Sequence, residues 1–247
     1  MHQNKCNDLK IEKGKEYAII PFFNHLIFQY RQMKLKKINE NLQTALIENH
    51  LIEANEMQQE TFATLKSGAD CLIIAPKGSG KTTTIVINVI QKLAGANEES
   101  PRALIVVEDK AKVLEMEELF EKYGRYCGLE VYGIHDKGDM DYDKNYISTG
   151  IDVLIGTPNR LSDMFSSAGY NVNRLKMFIV DDTDPILKLR HETKIMRISN
   201  SISKTQRIIF ADQLTDRIDI LVEKMLVEPF EFDFYEDDEE EGDEEEN

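Results

Sequence analysis

Eight consecutive residues, Ala75-Pro76-Lys77-Gly78-Ser79-Gly80-Lys81-Thr82, with Thr83 behind them, form the stretch best suited to chemistry. Glycines at 78 and 80 let backbone N–H groups turn inward around an anion. Lys81 adds a point charge for the β and γ groups of a polyphosphate, and Thr82 offers a hydroxyl to Mg²⁺. An apolar strand precedes the loop. An apolar helix carrying Ile85, Val86, Val89 and Ile90 follows it, so the loop sits at a helix N-terminus, where aligned peptide dipoles favour negative charge. Residues 75–83 are therefore expected to bind the phosphates of a nucleotide. The competing reading is a glycine-rich strand-to-helix turn that binds nothing.

A phosphate loop needs a carboxylate at the end of a nearby strand to hold the metal and position water. Phe178-Ile179-Val180-Asp181-Asp182-Thr183-Asp184 supplies one. Hydrophobic residues from Met177 make the strand, and Asp181 emerges at its carboxyl end, where ligands bind in open α/β sheets. Thr82 and Asp181 are the candidate metal ligands. The alternative is a surface turn rich in aspartate.

These residues require a sheet to hold them. Short apolar runs at Cys71–Ala75, Ala103–Val107, Glu130–Ile134, Val153–Gly156, Met177–Val180 and Arg207–Ala211 alternate with helical patterns, and Pro229–Phe234 is a candidate last strand. Continuous apolar strands separated by helices predict an α/β fold with a parallel sheet covered on both faces. Apolar residues at Ile38, Leu42, Leu46, Ile47 and Leu51 predict a helix over Ile38–Glu53. A second helix is expected from Met57 to Ser67, stopping at Gly68.

Length and charge bound the rest. The chain's 247 residues allow one sizeable core. The formal charge is −15, but ten acidic residues fall within 236–246, leaving the remainder only mildly acidic. Net charge therefore does not exclude a local basic groove. We expect an extension over 1–33, with Met33 as an alternative start site to Met1, a single domain over 34–235, and a tail over 236–247 too charged to fold. That tail either solvates the end of the chain or competes with nucleic acid for a basic surface. No apolar run approaches a membrane span, and the mixed-charge first sixteen residues lack a cleavage pattern, so a cytoplasmic location is expected. Cys6, Cys71 and Cys127 are too scattered for zinc or a disulfide framework. None of the five histidines has metal-ligand spacing, and Met57, Met116 and Met140 read as core or surface fillers.

Several motifs now stand in one order that resembles the N-terminal, RecA-like half of DEAD-box RNA helicases, over roughly residues 35–235. Asp181-Asp182-Thr183-Asp184 is similar to the Asp-Glu-Ala-Asp box at its first and last positions. Gln58 stands seventeen residues before Ala75, the spacing of the family's adenine-recognising glutamine, and is otherwise a solvated helix residue. Gly156-Thr157-Pro158-Asn159-Arg160-Leu161 looks like the Thr-Pro-Gly-Arg motif that contacts the RNA backbone. Its alternative role is to start a helix. Ile208-Ile209-Phe210-Ala211-Asp212-Gln213 takes the place of the Ser-Ala-Thr motif, and Ala75 in place of the first glycine is a helicase form of the loop. The resemblance implies ATP and Mg²⁺ as cofactors, Lys81 and Asp182 in catalytic roles, and Thr157, Pro158 and Arg160 as RNA contacts. It further implies RNA as partner and a second domain supplied by another copy or another protein, without which the chain does not unwind a duplex.

The departures point towards weak turnover. Asp182 stands where the family has its general-base glutamate, withdrawing the carboxylate by one methylene. A misplacement of about 1 Å can cost about 10²-fold in rate. Ala211-Asp212-Gln213 lacks the hydroxyls that couple hydrolysis to strand separation. Glu108-Asp109-Lys110-Ala111-Lys112 replaces Pro-Thr-Arg-Glu-Leu and puts two carboxylates towards phosphate, and Lys34 and its neighbours give no convincing match to the family's adenine-stacking aromatic. The expectation is an ATP-binding, RNA-binding domain of low ATPase activity. A non-catalytic nucleotide-binding interaction module and a remnant without a nucleotide role are the competing classes.

Overall fold

A computed structural model of the chain describes Leu35, residues 37–97 and residues 99–235. The expected N-terminal extension, the Met33 start, Lys34 and the acidic tail lie outside the described residues. The elements run α1 (Glu40–Glu48), α2 (Glu56–Ser67), β1 (Cys71–Ile74), α3 (Lys81–Leu93), β2 (Ala103–Val106), α4 (Lys110–Gly124) and β3 (Val131–Ile134). They continue α5 (Met140–Ser148), β4 (Val153–Gly156), α6 (Pro158–Ser166), β5 (Met177–Val180), α7 (Thr183–Lys188), α8 (Glu192–Ser199), β6 (Gln206–Ala211), α9 (Asp216–Met225) and β7 (Phe230–Asp233). All seven expected strands form, with ends within a residue of the expected ones.

The strands make one parallel sheet in the order β3-β4-β2-β5-β6-β1-β7. The inner strands β1, β2, β4 and β5 are buried along their whole length, as strands covered on both faces must be. Side chains alternate between two cores. Cys71 and Ile73 of β1 pack with Leu46, Leu65, Ile85 and Phe120 of α1 to α4, while Leu72 and Ile74 join Leu161, Ile186, Ile198 and Leu221 of α6 to α9. This is the RecA-like layering that the motif order implies.

Both N-terminal helices end for local reasons. Gly68 closes α2 at φ 95, a left-handed position natural to glycine. The α1 helix stops at Glu48, five residues short of the expected end. There Asn49 Nδ2 donates to the Ala45 carbonyl at 2.8 Å, His50 turns left-handed at φ 61, and Leu51 N–H reaches back to Leu46 O at 2.9 Å. Leu51 keeps its place in the apolar pattern by packing from this turn and not from a further helical one.

At the amino ends of the strands, Arg102 and Asp152 form a buried pair. Arg102 Nε donates to Asp152 Oδ1 at 2.9 Å, and the same carboxylate accepts from the backbone of Asn97 and Glu130. The carboxyl ends of β1, β2, β4, β5 and β6 all open on the opposite edge, because the strands are parallel. Every motif singled out in the sequence lies there.

Candidate nucleotide site and the groove beside it

The phosphate loop spans 75–80, between β1 and α3. Gly78 and Gly80 take φ 82 and 92, where a side chain would be strained. Ala75 N–H donates to Ala211 O at 3.0 Å and fixes the start of the loop beside β6. Ser79 N–H turns back onto Pro76 O at 3.2 Å, and Ser79 Oγ is buried without a hydrogen-bond partner. An orphaned hydroxyl inside a glycine-lined turn fits a loop shaped for polar ligand atoms.

Lys81 is buried. Its ammonium donates to the carbonyls of Ala75 at 2.7 Å and Pro76 at 3.2 Å, and to Asp212 Oδ1 at 2.7 Å. Lys77 is exposed, with its ammonium 3.7 Å from Asp212 Oδ2. Thr82 Oγ1 donates to Asp181 Oδ2 at 3.1 Å, so the two expected metal ligands face one another. An open pocket of about 370 Å³ is lined by Lys77, Gly78, Gly80, Lys81, Thr82 and Thr83 of the loop and helix start. Glu108, Lys112, Glu115 and Asp182 complete its wall.

On the carboxylate side, burial and then the neighbouring Asp182 charge push the Asp181 carboxyl up to about 7. Asp182 occupies the left-handed region at φ 44, ψ 60, which aspartate tolerates better than most residues. Its carboxylate is bracketed by two ammonium groups, Lys81 at 3.9 Å and Lys112 at 3.6 Å. Lys112 also meets Glu115 at 3.1 Å. Although partial burial works against it, these carboxylates hold the Lys112 ammonium above its ordinary pKa. Asp184 Oδ2 accepts the Asp212 N–H at 2.7 Å, and Thr183 Oγ1 donates to Phe210 O at 2.8 Å, so the ends of β5 and β6 are tied together.

Gln58 is buried in a capping box. Its N–H donates to Asn55 Oδ1 at 2.9 Å, while its own Oε1 accepts the Asn55 N–H at 3.2 Å. Asn55 Nδ2 continues to Ser79 O at 2.7 Å, which couples the start of α2 to the phosphate loop. A solvated position for Gln58 is thereby ruled out; it stands beside Gly80, at the rim of the loop.

The Thr-Pro motif starts α6, with Thr157 as N-cap residue and Pro158 in the first turn. Thr157 Oγ1 is turned to Asp136 Oδ1 at 3.0 Å. Thr157 and Pro158 line a groove of about 740 Å³ with Glu108, Asp109, Lys110 and Asp136. Arg160 does not line it. Its guanidinium is buried, donating through Nε and Nη2 to Asp143 Oδ2 at 2.9 and 2.6 Å, and Tyr132 OH holds Asp143 Oδ1 at 2.8 Å. The expected RNA residues are thus split between a groove wall and a buried ion pair.

Sequence reasoning gave no site role to Asn55, Lys112, Asp136, Asp143 or Asp212. For Asn55 the signal was present, since an asparagine three residues before Gln58 is a capping-box pattern. The others meet their site partners Thr157, Arg160, Lys81 and Asp182 across at least 17 positions, so no local pattern reveals those contacts. Cys71 and Cys127 are free and buried, Cys6 lies outside the described residues, and Met57 and Met116 are in the core. Among the described residues no cluster of histidine, cysteine and acidic groups could hold a metal by itself, and no helix is long and apolar enough to cross a membrane.

Residues 55–211 match the description of the DEAD/DEAH box helicase family. Among individual relatives, the ATP-dependent RNA helicase eIF4A of Lodderomyces elongisporus is 24% identical over 187 residues, which are 76% of this chain and 46% of that protein. The eIF4A of Scheffersomyces stipitis is 25% identical over the same shares. The ATP-dependent RNA helicase DBP4 of Meyerozyma guilliermondii is 28% identical over 203 residues, 80% of this chain and 27% of the relative. The chain thus spans about half the length of the eIF4A relatives it matches.

Proposed function

The chain belongs to the DEAD/DEAH box helicase family, and from that premise we propose that it binds ATP with Mg²⁺, hydrolyses it slowly and contacts RNA. One observation carries the nucleotide half of this reading. The Thr82 hydroxyl and the buried Asp181 carboxylate meet 3.1 Å apart above a phosphate loop whose lysine already holds an anionic group. Lys81 and the N–H groups of residues 78–82 would grip the phosphates, and Thr82 and Asp181 would hold the metal. Mg²⁺ held there would neutralise charge on the nucleotide phosphates.

Slow hydrolysis follows from Asp182. Its carboxylate is one methylene shorter than glutamate and is engaged by Lys81 and Lys112, so it is a weak acceptor for a water proton. RNA contact falls to Thr157 and Pro158 on the groove wall. With Glu108, Asp109 and Asp136 beside them, binding there is weak and falls steeply with salt.

A second reading, a nucleotide-binding interaction module without turnover, is favoured by the burial of Arg160 against Asp143. Calorimetry of the purified chain with ATP or ADP and Mg²⁺ tests the shared core of both readings. Binding lost in Lys81→Ala is expected, and no binding by the unmutated chain would sink both. Phosphate release with and without RNA then separates them. RNA-stimulated, Lys81-dependent turnover supports the enzyme, and binding without turnover supports the module.

A further inference from the structure

Asp212 stands where the Ser-Ala-Thr motif carries alanine, so this chain adds a full charge at a position that is ordinarily neutral. Its main chain is fixed from two sides. The N–H donates to Asp184 Oδ2 at 2.7 Å, and the carbonyl accepts from the Tyr235 hydroxyl. A backbone held this way presents the carboxylate in one direction, onto the phosphate loop. Oδ1 lies 2.7 Å from Lys81 Nζ and Oδ2 lies 3.7 Å from Lys77 Nζ.

An ammonium group has three donors. Lys81 spends them on Ala75 O, Pro76 O and Asp212 Oδ1, leaving none for a ligand in this arrangement. The loop is closed over its own lysine, with Ser79 N–H also turned inward onto Pro76 O. A nucleotide must therefore displace a carboxylate to reach Lys81. How far it must do so depends on its length.

We infer that Asp212 is a built-in anion in the seat of the third phosphate, and that it makes the site select nucleoside diphosphates over triphosphates. The inference rests on the reading of residues 75–83 as a nucleotide site. A diphosphate ends at the group gripped by the loop N–H donors and displaces the Asp212 carboxylate from Lys81 the least. A triphosphate brings its most charged group to a wall that already carries Asp181, Asp182 and Asp212, opposed by Lys81 and Lys112. Like charges a few ångströms apart in a partly desolvated pocket repel strongly enough to shift affinity by large factors.

The test is a pair of dissociation constants, for Mg²⁺-ADP and for Mg²⁺ with the non-hydrolysable β,γ-imido analogue of ATP, in the full chain and in Asp212→Asn and Asp212→Ala. Asn keeps the shape without the charge, and Ala is the residue of the Ser-Ala-Thr motif. The unmutated chain is expected to prefer the diphosphate by at least about tenfold. In both variants the preference should shrink by about tenfold, equivalent to about 1.4 kcal/mol, mainly through tighter binding of the triphosphate analogue. An unmutated chain that binds both equally, or a ratio unchanged in folded variants, overturns the inference and leaves the nucleotide reading standing. Loss of the fold in both variants makes Asp212 a structural anchor and overturns it as well. Failure of all three chains to bind either nucleotide removes the nucleotide reading and the inference with it.

Discussion

Arg160 and Asp143 are bound at two points, with Nε and Nη2 of the guanidinium 2.9 and 2.6 Å from the same carboxylate oxygen and both side chains buried. The pair joins α5 to α6, the helix that Thr157 and Pro158 start. Removing one member of such a pair leaves the other charge buried and unsatisfied, which costs about 3–5 kcal/mol. Asp143→Ala should therefore shift the urea midpoint strongly downward, while the double variant Asp143→Leu, Arg160→Leu should lose much less. A loss below about 1 kcal/mol in Asp143→Ala would mean that the pair is solvated and that Arg160 is available to a phosphate.

Asp182→Glu restores reach towards an attacking water. Phosphate release should rise, by up to about 10²-fold if the missing methylene is what limits the rate. The gain should vanish when Lys81→Ala is added. A rate that stays at background with RNA present would place the limit elsewhere, with the Lys81 and Lys112 bracket around residue 182 as the next suspect.

Asn55 joins two structures at once. Asn55→Ala removes the cap of α2, worth about 0.5–2 kcal/mol, and also the bond to Ser79 O. Thermal unfolding should fall by a few degrees, and nucleotide affinity should fall with it. Asn55→Ser keeps a capping oxygen but cannot donate across to Ser79, so it should recover most of the stability and little of the affinity. Equal recovery of both would show that the bond to the loop contributes nothing.

Gly156 ends β4 against two side chains. A Cβ there would come within 2.8 Å of Ile134 Cγ1 and of Leu161 Cγ. Gly156→Ala should cost about 1–3 kcal/mol through overpacking. In the double variant with Ile134→Ala, which removes Cγ1, the added cost of Gly156→Ala should be smaller than in the single variant. Destabilisation that is purely additive would show that the crowding is relieved by backbone shift.

Cys71 gives a pH dependence. Burial, and after it the Asp70 charge, push its thiol up to about 12. An unfolded thiol ionises near about 8.5. The folded chain thus holds the proton where the unfolded chain releases it, so this contribution is intact below about 8.5 and is lost as pH rises from there towards 12. Between about pH 9 and 10.5 the unmutated chain should lose more stability than Cys71→Val, by up to about 1.4 kcal/mol per pH unit. Parallel pH profiles would contradict the buried thiol.

Much of this architecture was legible from local pattern. The inner strands β1, β2, β4 and β5 are runs of four residues buried on both faces, which leaves no alternation to confuse their reading. The glycine positions at 68, 78 and 80 follow from φ values that other residues avoid. What stayed hidden depends on partners distant in sequence. Arg160 reads as a phosphate contact until Asp143 is seen against it, and Asp212 reads as one member of an altered motif until its carboxylate is seen on Lys81, 131 residues away. The early end of α1 was missed for a different reason. Leu51 satisfies helical spacing although it packs from a turn, and periodicity cannot distinguish the two.

The order of strands in the sheet also sets when the site can come into being. β6 lies between β5 and β1, and the phosphate loop and Asp181 stand at the ends of those two outer neighbours. As the chain is synthesised, residues 71–181 carry the lysine, the threonine and the aspartate, but the strand that seats them side by side has not yet been translated. Until residues 206–211 emerge and dock, Thr82 and Asp181 have no framework that holds them within bonding distance. A nucleotide held by this pocket would thus be captured late in the life of the nascent protein and would stabilise only molecules in which β6 is already in place.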